Sequence, residues 1–402
     1  MEKRKHSVLF VDVDPVVLQG LKSSLERFND YWNTDFASSA QEALDKLSDM
    51  SFDVIITDMH MPAMDGMQFL EVVSRERPDV LRFVLCGNTS DMQVLKSTQL
   101  AHQMIPKPYA MEHLYEVVER ACRLREMLTD PHLLRIITGI KTLPSVPILY
   151  NRLLKELQSG YASSQSVGNI IAQDTAMTAK VLQLVNSAFF GLPENISSPQ
   201  RAVTILGLNT IKALVLGIQV FSEFKGKSNI PISIDSLWRH SLLVSSQAYQ
   251  IARSLNLNVH EQEYARVSGI LHDIGRLMLF KIPDIFQKVQ FSKSGMIPVE
   301  SEYKVLGTSH AEMGAYLLGI WGLPNPIVEA TTFHHRPGAQ LLKNADLITA
   351  VYTANGLVNM CQHEKEIRYE AYLDMKYIGK ADVIKYLDEW TASVRDLMQS
   401  AK

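Results

Sequence analysis

Six residues of the types that ligate transition metals stand in the second half of this chain. They are His240, the adjacent pair His272 and Asp273, His310, and the adjacent pair His334 and His335. Imidazole is a borderline ligand and carboxylate supplies charge, so a cluster of both suits iron, manganese or zinc. Neighbours on a helix point about 100° apart, which lets His272 and Asp273 flank one ion or touch two. The first third of the chain holds a second set, Asp12, Asp58, Cys86 and Lys107, each at or just beyond the end of a short apolar run.

Those runs define the elements that must position the second set. Residues 8–11, 53–57, 82–85 and 103–105 read as buried strands, and 15–28 as an amphipathic helix. Continuous apolar strands alternating with helices predict an α/β, doubly wound parallel sheet covered on both faces. In such a sheet, polar residues at the carboxyl ends of the strands converge on one crevice, where ligands bind. From Met111 onward the strand signals stop. Residues 111–128 read as a helix running into a connector, and Thr129-Asp130-Pro131 as a break or a new helix start. Asp174 reads as the N-cap of a helix through Val185. Residues 211–220 are apolar on most faces, which predicts a buried helix.

Bulk properties bound the function. A length of 402 residues exceeds one ordinary core and predicts two or three domains. With 46% apolar and 21% charged residues, the balance is that of a soluble globular protein. A net charge of -3 gives no global attraction to nucleic acid or to an anionic membrane. The opening MEKRKHSVLFVDVDP is basic and then apolar, but Asp12 and Asp14 cut the apolar stretch far short of a signal-peptide core. No run approaches the roughly 20 apolar residues that a membrane span needs. Cys86, Cys122 and Cys361 form no CxxC pair and are too few for a disulfide framework. A cytoplasmic protein is expected.

FVDVDP, ITDMHMPAMDG and IPKP, in that order, resemble the receiver domain of two-component response regulators over about residues 6–125. The resemblance implies a five-stranded parallel sheet with Asp58 as phospho-acceptor. Lys107 would pair with the phosphoryl group, and Asp12 would help hold the Mg²⁺ that neutralises it. Three positions depart from the pattern. Val13 stands where receivers carry a second metal-binding acid, and Asp14, next along, should point elsewhere on an alternating backbone. Cys86 replaces the Ser or Thr that senses the phosphoryl oxygen, and Met104 replaces the aromatic switch residue. Mg²⁺ binding is therefore expected to be weakened.

AQDTAMTAKVLQLVNSAFFG and ISSPQRAVTILGLNTIKALVLG resemble the HDOD family, a branch of the HD superfamily of metal-dependent phosphohydrolases. WRHS, GILHDIGRLML, SHAEMGAYLLGIWGLP and FHH extend the likeness over about residues 130–335. The resemblance implies an all-helical domain in which His240, His272, Asp273, His310, His334 and His335 would hold Fe, Mn or Zn. The 32 residues from His240 to His272 resemble the spacing in the HD-GYP branch. The downstream half departs from it. Alignment puts Tyr352 where the closing Asp belongs and Asn355 where a second acid often lies. Asp346 is the nearest carboxylate, no GYP follows the paired histidines, and Ser236 stands where a glutamate is common.

Four segments follow: a receiver domain at 1–125, a connector at 126–140, an HDOD domain at 141–340, and a helical extension at 341–402 packing on it. The leading reading is a receiver input controlling a largely non-catalytic HDOD interaction module. Its partners would be a sensor histidine kinase and a downstream signalling protein or enzyme, such as an HD-GYP phosphodiesterase. The alternative is a metal-dependent phosphohydrolase acting on a nucleotide or cyclic dinucleotide, with Asp346 supplying the missing acid. A DNA-binding output is disfavoured, because the sequence shows neither a recognition helix nor a basic stripe.

Overall fold

A computed structural model describes residues 5–28, 30–86, 100–126, 162–187, 196–224, 233–280, 285–292, 297–321, 323–338, 345–364 and 366–400, with isolated positions between them. The connector expected at 126–140 lies outside these residues beyond its first position. The chain divides into two compact units.

The first unit is a parallel sheet of five strands: β1 (His6–Val11), β2 (Trp32–Ala37), β3 (Val54–Asp58), β4 (Leu81–Cys86) and β5 (Gln103–Pro106), in the order β2-β1-β3-β4-β5. Around it stand α1 (Pro15–Leu25), α2 (Ala40–Asp49), α3 (Gly66–Glu76) and α4 (Met111–Glu126). β1 and β3 are buried along nearly their whole length because helices cover both faces. β2 is an edge strand whose central residues are only partly or not buried. Its sequence WNTDFA lacks the apolar run that marks the other strands.

The remainder of the described chain is helical. Its helices are α5 (Ser164–Ala172), α6 (Thr175–Val185), α7 (Pro199–Leu206), α8 (Leu208–Phe224), α9 (Ile234–Ser254), α10 (Val259–Leu271), α11 (Val299–Leu306), α12 (His310–Ile320), α13 (Asn325–Phe333), α14 (Ala345–His363), α15 (Met375–Lys380) and α16 (Leu387–Ser400), with shorter turns between them. Asp174 caps α6 by accepting from the Met177 N–H, the role its position in the sequence suggests. α8 contains the apolar run 211–220 and is buried on most faces.

One apolar core joins α9 and α10 to α14, α15 and α16 through Val244, Ile251, Val351, Leu357, Ile378 and Trp390. Trp390 adds two polar ties to α9. Its Nε1–H donates to Ser254 Oγ at 3.0 Å, and its carbonyl accepts from Gln247 at 3.2 Å. No helix among the described residues is long and apolar enough to cross a membrane.

Candidate functional site

The carboxyl ends of β1 and β3 and the segment after β5 bring Asp12, Asp58 and Lys107 together. Lys107 Nζ donates to Asp58 Oδ1 at 2.7 Å and to Asp12 Oδ2 at 3.2 Å. The remaining oxygens accept main-chain N–H groups: Asp12 Oδ1 from Asp14 at 3.0 Å, and Asp58 Oδ2 from His60 at 2.9 Å. Burial alone would lower the Lys107 pKa, but Asp58 and then Asp12 outweigh it and hold the ammonium above its ordinary value. Asp58 stays reachable, with 15% of its side chain exposed against 5% for Asp12.

The turn after Asp58 is shaped by Gly66. A Cβ there would lie 2.4 Å from the Asp58 carbonyl oxygen, so only glycine lets α3 start this close to the strand end. Asp65 caps α3 through a capping box with Gln68. Asp14 does not enter the crevice: its side chain caps α1 by accepting the Val16 N–H at 2.8 Å. Val13 packs against the sheet's apolar core. Cys86 ends β4, opposite Pro106 in the register.

The second set also converges. His240 lies on α9, His272 closes α10, Asp273 follows it, His310 opens α12, and His334 and His335 follow α13. All are buried except His335, which is partly exposed. The close approach of α12 depends on Gly275, where a Cβ would lie 1.9 Å from the His310 carbonyl oxygen and 2.6 Å from the Gly314 nitrogen.

Asp273 shares its two oxygens between two groups of side chains. Oδ1 lies 3.0 Å from His310 Nε2 and 3.7 Å from His334 Nε2. Oδ2 lies 3.6 Å from His272 Nε2 and 3.0 Å from Arg276 Nε. Ligand atoms of Asp273, His310, His334 and His335 lie within 4.8 Å of one another, as do those of His240, His272 and Asp273.

The ring orientations are fixed from behind. His272 Nδ1 donates to the Gly269 carbonyl at 2.9 Å and His334 Nδ1 to the Thr331 carbonyl at 2.6 Å. A carbonyl only accepts, so each Nε2 turns a lone pair toward Asp273. Neither Nε2 has a hydrogen-bond partner, although both are buried. Burial is the main cause holding His272 and His334 below the ordinary imidazole range. His310 differs. Burial and Arg276 pull it down, but Glu302 and Asp273 outweigh them and raise it.

Two charged residues of the cluster were not singled out in the sequence. Glu302, fully buried on α11, accepts from His310 Nδ1 at 2.7 Å and from the His310 N–H at 2.7 Å. Arg276 lies between Asp273 and Glu302, 3.5 Å from Glu302 Oε1. Asn355, rather than Tyr352, takes the place beside the cluster on α14. Its Oδ1 is 3.1 Å from His240 Nε2, and Gln362 Oε1 is 3.0 Å from His240 Nδ1. Tyr352 turns into the core, where its hydroxyl accepts the Asp374 N–H. Asp346 is exposed at the start of α14, so it does not supply the missing acid.

The donor set therefore fits a cation on one side of Asp273. There the buried Nε2 of His334 lacks a hydrogen bond, His310 Nε2 already pairs with Oδ1 at 3.0 Å, and His335 stands beside them. On the other side, His240 has an amide at each ring nitrogen and Arg276 faces the carboxylate.

A carboxylate–lysine crevice on a parallel sheet and a helical histidine cluster, carried in one chain, are the features of a receiver-type domain and an HD-type domain. Family models match accordingly: a response regulator receiver domain over residues 8–119 and an HDOD domain over residues 143–337. The chain is a response regulator-type protein carrying a receiver domain and an HDOD domain.

The hydrogenase transcriptional regulatory protein HoxA of Cupriavidus necator is 29% identical over 171 residues, 42% of this chain and 33% of that one. The rice two-component response regulator ORR22 is 36% identical over 118 residues, 29% of this chain and 17% of that one. The chain spans a third or less of these relatives' length. A solved structure of a provisionally assigned phosphohydrolase from Shewanella amazonensis SB2B matches with a TM-score of 0.50 at 19% identity. The match covers 67% of this chain and 95% of that one, and it shows the fold alone.

Proposed function

We propose that the receiver domain takes a phosphoryl group on Asp58 and that the HDOD domain passes the receiver's state to a protein partner without turning over a substrate. The observation that carries the second half is Asn355. An HD-type hydrolase needs carboxylates to hold cations and tune the bound water that attacks phosphorus. Here a neutral amide stands at that place, hydrogen-bonded to His240. A cation bound by Asp273, His310, His334 and His335 would hold three helical segments in register.

At the receiver, the phosphodonor would be a sensor histidine kinase. Asp58 attacks the phosphorus of the kinase's phosphohistidine, the P–N bond breaks and the histidine leaves as a neutral imidazole after taking a proton, while Lys107, already 2.7 Å from Asp58 Oδ1, pairs its charge with the transferred phosphoryl oxygens. Asp12 and Asp58 are the carboxylates that would hold Mg²⁺, which supplies charge neutralisation when bound. Val13 leaves that ion one carboxylate short. The protein would act in the cytoplasm on a downstream signalling protein or enzyme, such as an HD-GYP phosphodiesterase.

The test is hydrolysis of cyclic di-GMP and of nucleotides by the full chain supplied with Mn²⁺, Fe²⁺ or Zn²⁺, beside His272→Ala and Asp273→Ala. No turnover above the variants is expected. Metal-dependent turnover lost in both variants would establish the phosphohydrolase instead.

A further inference from the structure

The two sides of Asp273 are chemically unequal. On the Oδ1 side, the edges between ligand atoms are 3.0 Å to His310 Nε2, 3.7 Å to His334 Nε2, and 3.1 Å between His310 Nε2 and His335 Nε2. A tetrahedral ion with bonds of about 2.0–2.1 Å places its ligand atoms about 3.3 Å apart. The three edges bracket that value. Behind His310 stands the Glu302 carboxylate on Nδ1, and behind His334 the Thr331 carbonyl on Nδ1. Such outer partners orient metal-bound imidazoles.

The Oδ2 side also holds an orphaned imidazole nitrogen, His272 Nε2, but its other groups work against an ion. Arg276 brings a positive guanidinium to within 3.0 Å of the carboxylate oxygen that a second ion would need. Both nitrogens of His240 are engaged, one by Gln362 and one by Asn355. Asn359 Nδ2 donates to Asn355 Oδ1 at 2.8 Å, which fixes the amide with its oxygen toward His240. His240 Nε2 therefore carries a proton directed at Asn355 and offers no lone pair.

We infer that the cluster binds one divalent cation of zinc type at Asp273, His310, His334 and His335, and that Asn355 excludes a second ion from the half containing His240 and His272. The cation takes the place of the proton between His310 Nε2 and Asp273 Oδ1 and satisfies the orphaned His334 nitrogen. Replacing Asn355 with a carboxylate puts an anionic ligand oxygen beside His240 and adds the charge with which a second ion can displace the His240 Nε2 proton.

The experiment counts ions. Full-length protein is stripped with chelator, dialysed against Zn²⁺, and assayed for metal per chain by elemental analysis, with circular dichroism confirming that each variant is folded. The wild type should hold one ion and His334→Ala none. Asn355→Asp should hold two, falling back to one in Asn355→Asp combined with His240→Ala. Glu302→Gln should still bind one ion, but 10- to 100-fold more weakly. If Asn355→Asp does not fold, His240→Ala and His272→Ala in the wild-type background decide the case: each should still hold one ion, and loss of the ion in either folded variant would overturn the inference. No ion or two ions in the wild type would overturn the inference, and so would a single ion in folded Asn355→Asp. The count is read without turnover, so it stands or falls separately from the proposed lack of hydrolysis.

Discussion

Glu302 is the residue whose replacement most directly tests how the histidine cluster is held. It has no exposed surface, and its carboxylate takes two hydrogen bonds from His310 while facing Arg276 at 3.5 Å. Glu302→Gln keeps the shape but leaves one acceptor oxygen, and its NH₂ must meet either the His310 ring N–H or the guanidinium. A hydrogen bond to a charged group contributes about 1.5–3 kcal/mol. Stripping a buried ion of its partner costs about 3–5 kcal/mol. Arg276 retains Asp273 at 3.0 Å, so the loss is partial and should total about 2–4 kcal/mol. With an m-value of about 3 kcal/mol/M in urea, the midpoint of chelator-treated protein falls by about 1 M.

The pH profile adds a signed check on the same residue. Burial would raise the Glu302 pKa, but His310 and then Arg276 outweigh it and hold it below the ordinary carboxylate value. A depressed carboxylate gives stability that is full above its unfolded pKa and is lost as pH falls through the folded one. That part of the acid sensitivity should be missing in Glu302→Gln. Urea melts followed by circular dichroism at several pH values read both effects. A midpoint shift under about 0.3 M at neutral pH, or an unchanged acid profile, would refute the reasoning.

Other perturbations have equally definite outcomes. Gly275→Ala puts a Cβ 1.9 Å from the His310 carbonyl oxygen, so it should cost about 3 kcal/mol or more; a wild-type melting temperature would show that α12 can move aside. Asp58→Asn should abolish labelling by a small-molecule phosphodonor in Mg²⁺, and Lys107→Ala should reduce it; equal label in Asp58→Asn would mean another residue is modified. Tyr303 donates to Glu312 Oε1 at 2.7 Å, and burial first, then Glu312 against an opposing Ser309 bond, pushes its pKa up to about 12. Native Tyr303 holds its proton above the ordinary value of 10.0, so its contribution is present below pH 10.0 and is lost as pH rises through about 12. Ultraviolet titration should show one late-ionising tyrosine fewer in Tyr303→Phe, and an identical curve would count against that assignment.

The sheet and its crevice were legible because buried parallel strands are written as apolar runs and their polar ends stand out. β2 was not, since an edge strand with half its residues facing solvent carries a mixed sequence. The separate fate of Asp14 followed from strand alternation, and the structure places it as a helix cap. On α14 the alignment offers both Tyr352 and Asn355 as acid positions, and only Asn355 faces the cluster. That helix is buried on nearly every face from Leu347 to Val358, so no polar stripe marks which side meets the cluster. Glu302 and Arg276 were passed over because charged residues on short helices ordinarily face water. Only the folded arrangement shows that each is the other's partner and that both serve His310 and Asp273.

The grip of Asn355 and Gln362 on His240 has a practical consequence for where this protein can be cut. The family match stops at residue 337, yet the amides that hold His240 lie 18 and 25 residues beyond it. A fragment ended at the family boundary would bare both nitrogens of that ring and uncover the apolar flank of α9 along Val244, Ala248 and Ile251. It would aggregate, or bind non-specifically through the uncovered flank. The smallest autonomous output piece therefore extends through α16, and truncation series should be planned from the folding boundary rather than the family boundary.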